Sequence, residues 1–260
     1  MGTARIQGDL WSVRATEWAD LQEGSFRPLY EAAYKSAKVG NGTVLADIGC
    51  GAGLALQVAR ELGAKVSGID AAAGLAAIAR RRNPDADIRV GEIEELPFAD
   101  KVFDVTSGFN SFQYAANPVN ALKQARRVTK TGGAVVIAVW GAADKCQLAP
   151  YLAAVGKLMP APPPGAPGPF ALSAPGALEK LANEAGLKPA ASAGVITTMR
   201  FPDETTALRG LLASGVVERA IRNFGEPAVR NGIAEAIRPA RRPDGSYAFD
   251  NEWRFLVARA

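Results

Sequence analysis

Histidine is absent from this 260-residue sequence, and its absence excludes several classes of catalytic site. A Ser-His-Asp triad, a Cys-His dyad, a histidine-ligated zinc ion and a histidine general base all need that side chain. Any acid–base chemistry would therefore depend on carboxylates, tyrosine, lysine, cysteine or water.

Cysteines and long apolar runs are also scarce. The two cysteines, Cys50 and Cys146, lie far apart in the sequence, so we expect no disulfide framework and a reducing, cytoplasmic location. No apolar run reaches the roughly 18 residues of a membrane span, and residues 1–11 lack the apolar core of a signal peptide. The net charge of +4 is weakly basic. Because basic residues do not cluster among aromatic ones, we expect no nucleic-acid partner. The lack of a long apolar run predicts that no segment spans a membrane.

From residue 43 onward, short apolar segments alternate with helical segments. The patterns predict strands at 43–48, 65–70, 87–90, 102–107 and 134–140, and helices at 54–62, 72–82 and 118–128. Gly132 and Gly133 are predicted to turn the chain into the fifth strand. Such alternation is typical of a parallel sheet with helices on both faces. We expect an α/β, doubly wound, Rossmann-like fold with a mostly parallel seven-stranded sheet.

Other segments lie outside this alternating core. Residues 1–38, with aromatic side chains at roughly helical spacing, are predicted to form an N-terminal helical lid. Residues 204–240 are predicted as a helical cap insertion before a last strand within 246–258, and residues 160–169 as an extended, proline-rich surface loop. We expect residues 1–260 to form one domain, whose core comprises 39–200 and 245–260.

The segment Val44-Leu-Ala-Asp-Ile-Gly-Cys-Gly-Ala-Gly53 places three glycines between a strand and a helix. Glycines allow a sharp turn and a close approach of a ligand to the backbone amides. The dinucleotide fingerprint would need its third glycine at Leu54, and it keeps the helix N-terminus free for a pyrophosphate. Asp47 instead places a negative charge beside the turn. This favours a cofactor with an ammonium or sulfonium group, S-adenosylmethionine (SAM), over NAD.

Asp70 ends the second predicted strand and is expected at the carboxyl edge of the sheet, beside the glycine segment. One carboxylate there can accept hydrogen bonds from both ribose hydroxyls of a nucleoside cofactor. Capping of the next helix is the alternative role. The neighbouring glycine segment favours ribose binding.

Four ordered motifs resemble those of the class I SAM-dependent methyltransferases, in a small-molecule branch similar to the ubiquinone and menaquinone methyltransferases. Residues 47–53 resemble the loop that cradles SAM, 68–70 the ribose motif, 91–98 the adenine segment and 127–133 the turn before strand five. The resemblance covers residues 44–140 well and the flanks loosely. It implies the following cofactor contacts: Asp47, Gly49, Cys50, Gly51, Gly53, Asp70, Ala71, Glu92, Ile93, Asn110 and Ser111.

The resemblance also implies a site for a small-molecule acceptor near the segment that follows strand four. Gln113 and Tyr114 stand where the family often has histidine. Aromatic residues at helical spacing more often pack in a core than touch a ligand. The candidate acceptor contacts are Trp11, Trp18, Tyr30, Gln113 and Tyr114. If a general base is needed, the candidates are Tyr114, Glu17 and Tyr30.

We therefore expect SAM-dependent methyl transfer to a small molecule, with S-adenosylhomocysteine (SAH) as product, by a monomer or homodimer. No acidic ligand set for magnesium follows strand four, so we expect no metal. A sulfonium is already activated, and positioning and exclusion of water would supply most of the rate. Two alternatives stay open. They are a SAM-binding protein without transferase activity, and a nicotinamide-dependent oxidoreductase with a variant Rossmann loop.

Overall fold

The computed structural model of the protein describes residues 2–159 and 170–260, so the predicted loop at 160–169 lies outside the described residues. The strands of the sheet are β1 (Val44–Ile48), β2 (Lys65–Asp70), β3 (Asp87–Val90), β4 (Phe103–Phe109), β5 (Thr129–Trp140), β6 (Lys188–Phe201) and β7 (Tyr247–Arg259). The α-helices are α1 (Ala4–Ser12), α2 (Ala15–Leu21), α3 (Arg27–Ser36), α4 (Leu54–Glu61), α5 (Ala73–Arg82), α6 (Pro118–Val128), α7 (Ala149–Lys157), α8 (Ala177–Glu184), α9 (Glu204–Leu211), α10 (Gly215–Phe224) and α11 (Glu226–Ile237).

The sheet has the strand order β3-β2-β1-β4-β5-β7-β6. Strands β1 to β5 pair in parallel, and β7 runs antiparallel to both β5 and β6. The expected α/β fold with a mostly parallel seven-stranded sheet is confirmed. The strand order reverses between β1 and β4, and this reversal opens a crevice at the carboxyl ends of the strands.

Apolar side chains on both faces of the central strands explain why helices cover the sheet on two sides. One core layer joins α3 and α4 to the sheet, and the opposite layer joins α6 and α8 to it. Strand β1 is buried along almost its whole length, as expected for a parallel strand that is covered on both faces.

The start of β5 differs from the prediction. The strand begins at Thr129 rather than at residue 134, and the predicted turn at Gly132 and Gly133 is an irregular stretch within the strand. Gly132 has a φ of +77°, and its amide donates to the carbonyl of Ala260 over 3.0 Å. Ala260, the residue after β7, therefore supplies backbone hydrogen bonds to two glycines that the sequence alone predicts as a turn.

The segments outside the alternating core are helical in the structure. Helices α1, α2 and α3 precede β1, and α9, α10 and α11 separate β6 from β7. Helices α7, α9, α10 and α11 share an apolar cluster with the ends of β6 and β7. Across residues 2–159 and 170–260, every helix is too short or too polar to cross a membrane.

Candidate active site

A cavity of about 190 Å³ lies at the carboxyl ends of β1, β2 and β4. Its walls come partly from the loops that follow these strands. The remaining walls come from the N-terminal helices, from α7, and from residues 211–217 at the junction of α9 and α10. The cavity thus occupies the crevice that the strand order creates.

The glycine loop after β1 is held against the end of β2 by backbone hydrogen bonds. The amides of Gly49 and Cys50 both donate to the carbonyl of Ile69, over 2.8 and 3.0 Å. Gly49 has a φ of +78°, and a Cβ there would lie 2.4 Å from the Cβ of Ser111. A glycine is therefore required both by the left-handed backbone and by the close approach of the loop after β4.

Asp47 lies on β1 next to Ser107 of β4, and its side chain is 1% exposed. The hydroxyl of Ser107 donates to Asp47 Oδ1 over 2.6 Å, so the hydroxyl of Tyr34, 3.2 Å from Ser107 Oγ, is the donor in that second bond. Burial raises the pKa of Asp47 to about 7, against the opposing effect of the Ser107 hydrogen bond. A cation in the cavity would favour the ionised carboxylate.

Asp70 forms the opposite side of the glycine loop. Its Oδ2 accepts the amide of Gly51 and its Oδ1 accepts the amide of Ala72, both over 2.8 Å. Burial raises the pKa of Asp70, and these backbone hydrogen bonds oppose the rise. Because a carboxylate offers about four acceptor positions, two remain for a ribose. Asp70 therefore holds the glycine loop and Ala72, the residue before α5, in place, in addition to lining the cavity.

Glu92 joins the cavity to the N-terminal helix α1. Its Oε2 accepts the amide of Ala4, the first residue of α1, over 2.9 Å, and its Oε1 accepts the amide of Glu94 over 3.2 Å. The hydroxyl of Thr3 donates to the carbonyl of Tyr114 over 2.7 Å. The resemblance assigns the Glu92 carboxylate to adenine. In the structure it also accepts a hydrogen bond from the first amide of α1, which has no partner within that helix.

Glu23 was not found by sequence reasoning, although it is 1% exposed and lies behind the glycine loop. It forms an ion pair with Arg82, and its Oε1 accepts the amide of Leu54 at the start of α4 over 3.2 Å. Burial raises the pKa of Glu23 to about 7, and the charge of Arg82 opposes this rise. Nothing in the local sequence marks Glu23, because both partners reach it only through folding.

The structure brings most of the predicted residues to one cavity. Those that line it are Asp47, Gly49, Cys50, Gly51, Asp70, Ala71, Glu92, Ile93, Asn110 and Ser111, with Trp11, Trp18, Tyr30 and Tyr114.

Three of the predicted site residues are not among the residues that line the cavity. Gly53 faces α5, since a Cβ there would lie 2.7 Å from Asn83 Nδ2 and 2.9 Å from Ala79. The absence of a side chain at Gly53 therefore allows α4 and α5 to pack closely. Gln113 hydrogen-bonds with the Asn110 side chain instead of reaching the cavity. Glu17, a candidate base, is half-buried on α2 and also outside the wall.

The two tyrosines considered as bases are protonated at neutral pH. Burial raises the pKa of Tyr114 to about 12. Burial also raises the pKa of Tyr30 well above its usual value, and the charges of Glu23 and Asp47 raise it further. Both hydroxyls are therefore suited to donate hydrogen bonds and not to accept a proton.

The far part of the cavity, away from the glycine loop, has an aromatic wall that sequence reasoning did not find. The rings of Trp140 and Trp253 stack with their centroids 4.1 Å apart, and Phe26 meets Trp253 edge-to-face at 5.1 Å. Trp253 is on the buried side of the last strand, as its period-two spacing predicts. Its approach to Trp140 depends on the pairing of β7 with β5, which the spacing does not show.

Comparison with known proteins agrees with this geometry. Residues 46–137 match the family described as "Methyltransferase domain". The malonyl-[acyl-carrier protein] O-methyltransferase of Erwinia pyrifoliae is 31% identical over 198 residues, which cover 76% of this chain and 70% of that protein. The demethylmenaquinone methyltransferase of Paenarthrobacter aurescens is 34% identical over 97 residues, but the match spans 38% of that protein's length and 37% of this chain.

A SAM-dependent methyltransferase from Aquifex aeolicus has the same fold, with a TM-score of 0.53 and 17% identity over 69% of this chain and 91% of that chain. The strand order, the glycine loop between two buried carboxylates and the match to the Erwinia protein point to the same family. The chain belongs to the class I SAM-dependent methyltransferases.

Proposed function

We propose that the protein transfers the methyl group of SAM to a small-molecule acceptor, releasing SAH and any proton that the methylated atom carried, without a metal ion and mainly by positioning and exclusion of water. The observation that carries this proposal is one continuous cavity. At one end it is lined by a glycine loop and carboxylates suited to SAM, and at the other by aromatic and aliphatic side chains.

The polar groups that line the cavity fit SAM. The backbone of Gly49 and Gly51 lines the cavity, Asp70 has acceptor positions for a ribose, and Asp47 has a second oxygen for an ammonium group. When bound, SAM supplies a methyl group on a positively charged sulfur.

In this proposal the chain itself binds the reactants, orients them and excludes water from them. Holding two reactants in line can lower a barrier by roughly 7–11 kcal/mol without a catalytic side chain. Helices α1 and α2 and the residues joining α9 to α10 supply part of the cavity wall. We therefore assign residues 1–38 the role of a lid and residues 204–240 that of a cap, both of which exclude water.

Metal independence remains part of the proposal. In the part of the chain that the structure describes, no three side chains of the metal-binding types His, Cys, Asp and Glu lie together as a candidate site. Incubation with EDTA should accordingly leave turnover of SAM to SAH unchanged, whereas loss of turnover that Mg²⁺ restores would contradict this part.

Calorimetry and thermal unfolding with SAM test the central proposal. At a hundredfold excess over its dissociation constant, SAM should stabilise the protein by about 2.7 kcal/mol. Limited proteolysis should cut residues 1–38 more slowly when SAM is bound. SAM binding without SAH formation with any acceptor would favour a non-transferase SAM-binding protein. NAD binding without SAM binding would favour an oxidoreductase.

The affinity for SAM should rise with pH. The pKa of Asp47, raised by burial to about 7, means that this carboxyl is largely protonated at pH 6. A cation binds the ionised form, so ionisation of Asp47 makes SAM bind about tenfold more tightly at pH 8 than at pH 6. Calorimetry at both pH values, in buffers of different ionisation enthalpy, should detect proton release.

The stability of the ligand-free protein should instead fall as the pH rises. A carboxyl whose pKa is higher in the folded state contributes stability at acidic pH and loses it as pH rises towards 7. The ligand-free protein should therefore become less stable across this range, relative to Asp47→Asn. The variant should also have a flatter pH dependence of SAM affinity, and an equally steep dependence would contradict the assignment to Asp47.

A further inference from the structure

We infer that the acceptor is an uncharged, flat and largely apolar molecule that binds against the Trp140–Trp253 wall. This inference rests on the proposed function, because it assigns the far part of the cavity to the acceptor. It adds a substrate class to that function.

The charge distribution in the cavity is strongly one-sided. Three carboxylates line it, Asp47 of β1, Asp70 at the end of β2 and Glu92 in the loop after β3, and all three surround the proposed SAM site. Among the described residues of the wall, none is lysine or arginine. Residues 160–169, which the structure does not describe, also contain no ionisable side chain.

An anionic acceptor would therefore lose its hydration without gaining a cationic partner from these residues. Burial of an unpaired charge is costly, and the nearby carboxylates would add repulsion. A protonated amine would not suit the far part either, since its wall carries no carboxylate and a methyl acceptor needs a free electron pair.

The polar groups of the far part are few and partly engaged. The hydroxyl of Tyr151 donates to the carbonyl of Leu211 over 2.8 Å, and Gln22 Nε2 donates to the carbonyl of Gly210 over 2.5 Å. Ser214 Oγ accepts the amide of Val217 at the start of α10. Such groups suit one or two hydrogen bonds to an otherwise apolar ligand.

The shape of the wall favours a planar ligand. Trp140 is half-buried and stacks on Trp253, while Tyr30 meets Phe109 edge-to-face with centroids 4.6 Å apart. A flat ring can continue these stacked and edge-to-face contacts, whose energy exceeds that of area burial alone.

Calorimetry with 2-naphthol and 2-naphthoate tests the inference, because the two probes are similar in size and only the second is an anion at pH 7. With SAH saturating the cofactor site, 2-naphthol should bind at least about tenfold more tightly than 2-naphthoate. The same preference should persist with sinefungin, a non-transferring SAM analogue whose amine restores the positive charge. Trp140→Leu should weaken 2-naphthol binding while SAH binding is kept.

A charge-introducing variant provides the matched control. Leu152→Lys places a cation in the far wall and should reduce the preference for 2-naphthol at least about tenfold. Leu62→Lys, at an exposed leucine outside the cavity, should leave the preference unchanged.

Equal or tighter binding of 2-naphthoate to the unmodified protein, or no binding of either probe with SAH bound, would overturn the inference. In those cases SAH binding itself would still support the proposed function. Failure of SAM and SAH to bind would overturn the proposed function instead.

Discussion

Replacing Gly49 with alanine should reduce SAM affinity by at least about tenfold. The left-handed backbone at φ +78° costs a non-glycine residue about 1–2 kcal/mol. A methyl group 2.4 Å from the Cβ of Ser111 must also displace the loop after β4, and overpacking of this kind costs about 1–3 kcal/mol. Relief of the clash would move the backbone that we propose cradles SAM. Titration calorimetry measures the loss.

Gly132→Ala is the matched control for this variant. Gly132 has nearly the same backbone conformation, with φ +77°, but a Cβ there would meet no atom within 4 Å. Both variants should lose stability in chemical unfolding, whereas only Gly49→Ala should lose SAM affinity. Unchanged SAM binding in folded Gly49→Ala would disprove the cradling role of this loop.

Asp70→Ala should weaken SAM binding by about 1.5–3 kcal/mol, or roughly 10- to 150-fold, because it removes the charge-assisted hydrogen bonds that we propose Asp70 accepts from the ribose. The variant also removes the acceptor for the amides of Gly51 and Ala72. SAM and SAH should lose affinity to a similar extent, since both carry the ribose. Calorimetry with each ligand measures the two losses.

Asp104→Ala controls for the loss of a backbone-binding carboxylate. Asp104 accepts the amide of Val44 over 2.9 Å and pairs with Lys130, at the opposite edge of the sheet. Its removal should lower stability and leave SAM affinity unchanged. If Asp70→Ala binds SAM like the unmodified protein, then Asp70 serves only the loop and the start of α5.

The meeting of the glycine loop and its carboxylates in one cavity could be predicted because the signals for it are local. A buried strand, a glycine turn and a helix follow one another directly, and Asp70 ends the adjacent strand. Parallel pairing then brings Asp47, the glycine loop and Asp70 to one edge of the sheet. Gly53 fits the same local pattern. The sequence does not show that a side chain at this position would clash with Ala79 and Asn83 of the neighbouring helix segment.

Residues whose role depends on distant packing could not be found in this way. Glu23 is an isolated carboxylate in the sequence, and only the docking of residues 1–38 brings it to Leu54 and Arg82. The same docking places Ala4 on Glu92. Gln113 could not be separated from Tyr114, because a single turn of 3₁₀ helix directs one side chain to Asn110 and the other to the cavity.

By itself, the sequence determined the α/β order of elements, the glycine turn and its carboxylates, because strand period, helix period and turn chemistry act between near neighbours. Only the tertiary structure determined which residues line the far half of the cavity and that this half is uncharged. There, the insertion of β7 between β5 and β6 sets Trp253 beside Trp140, and Phe26 from the segment before β1 packs on Trp253. Contacts between such distant residues depend on how whole elements pack, which no local pattern records.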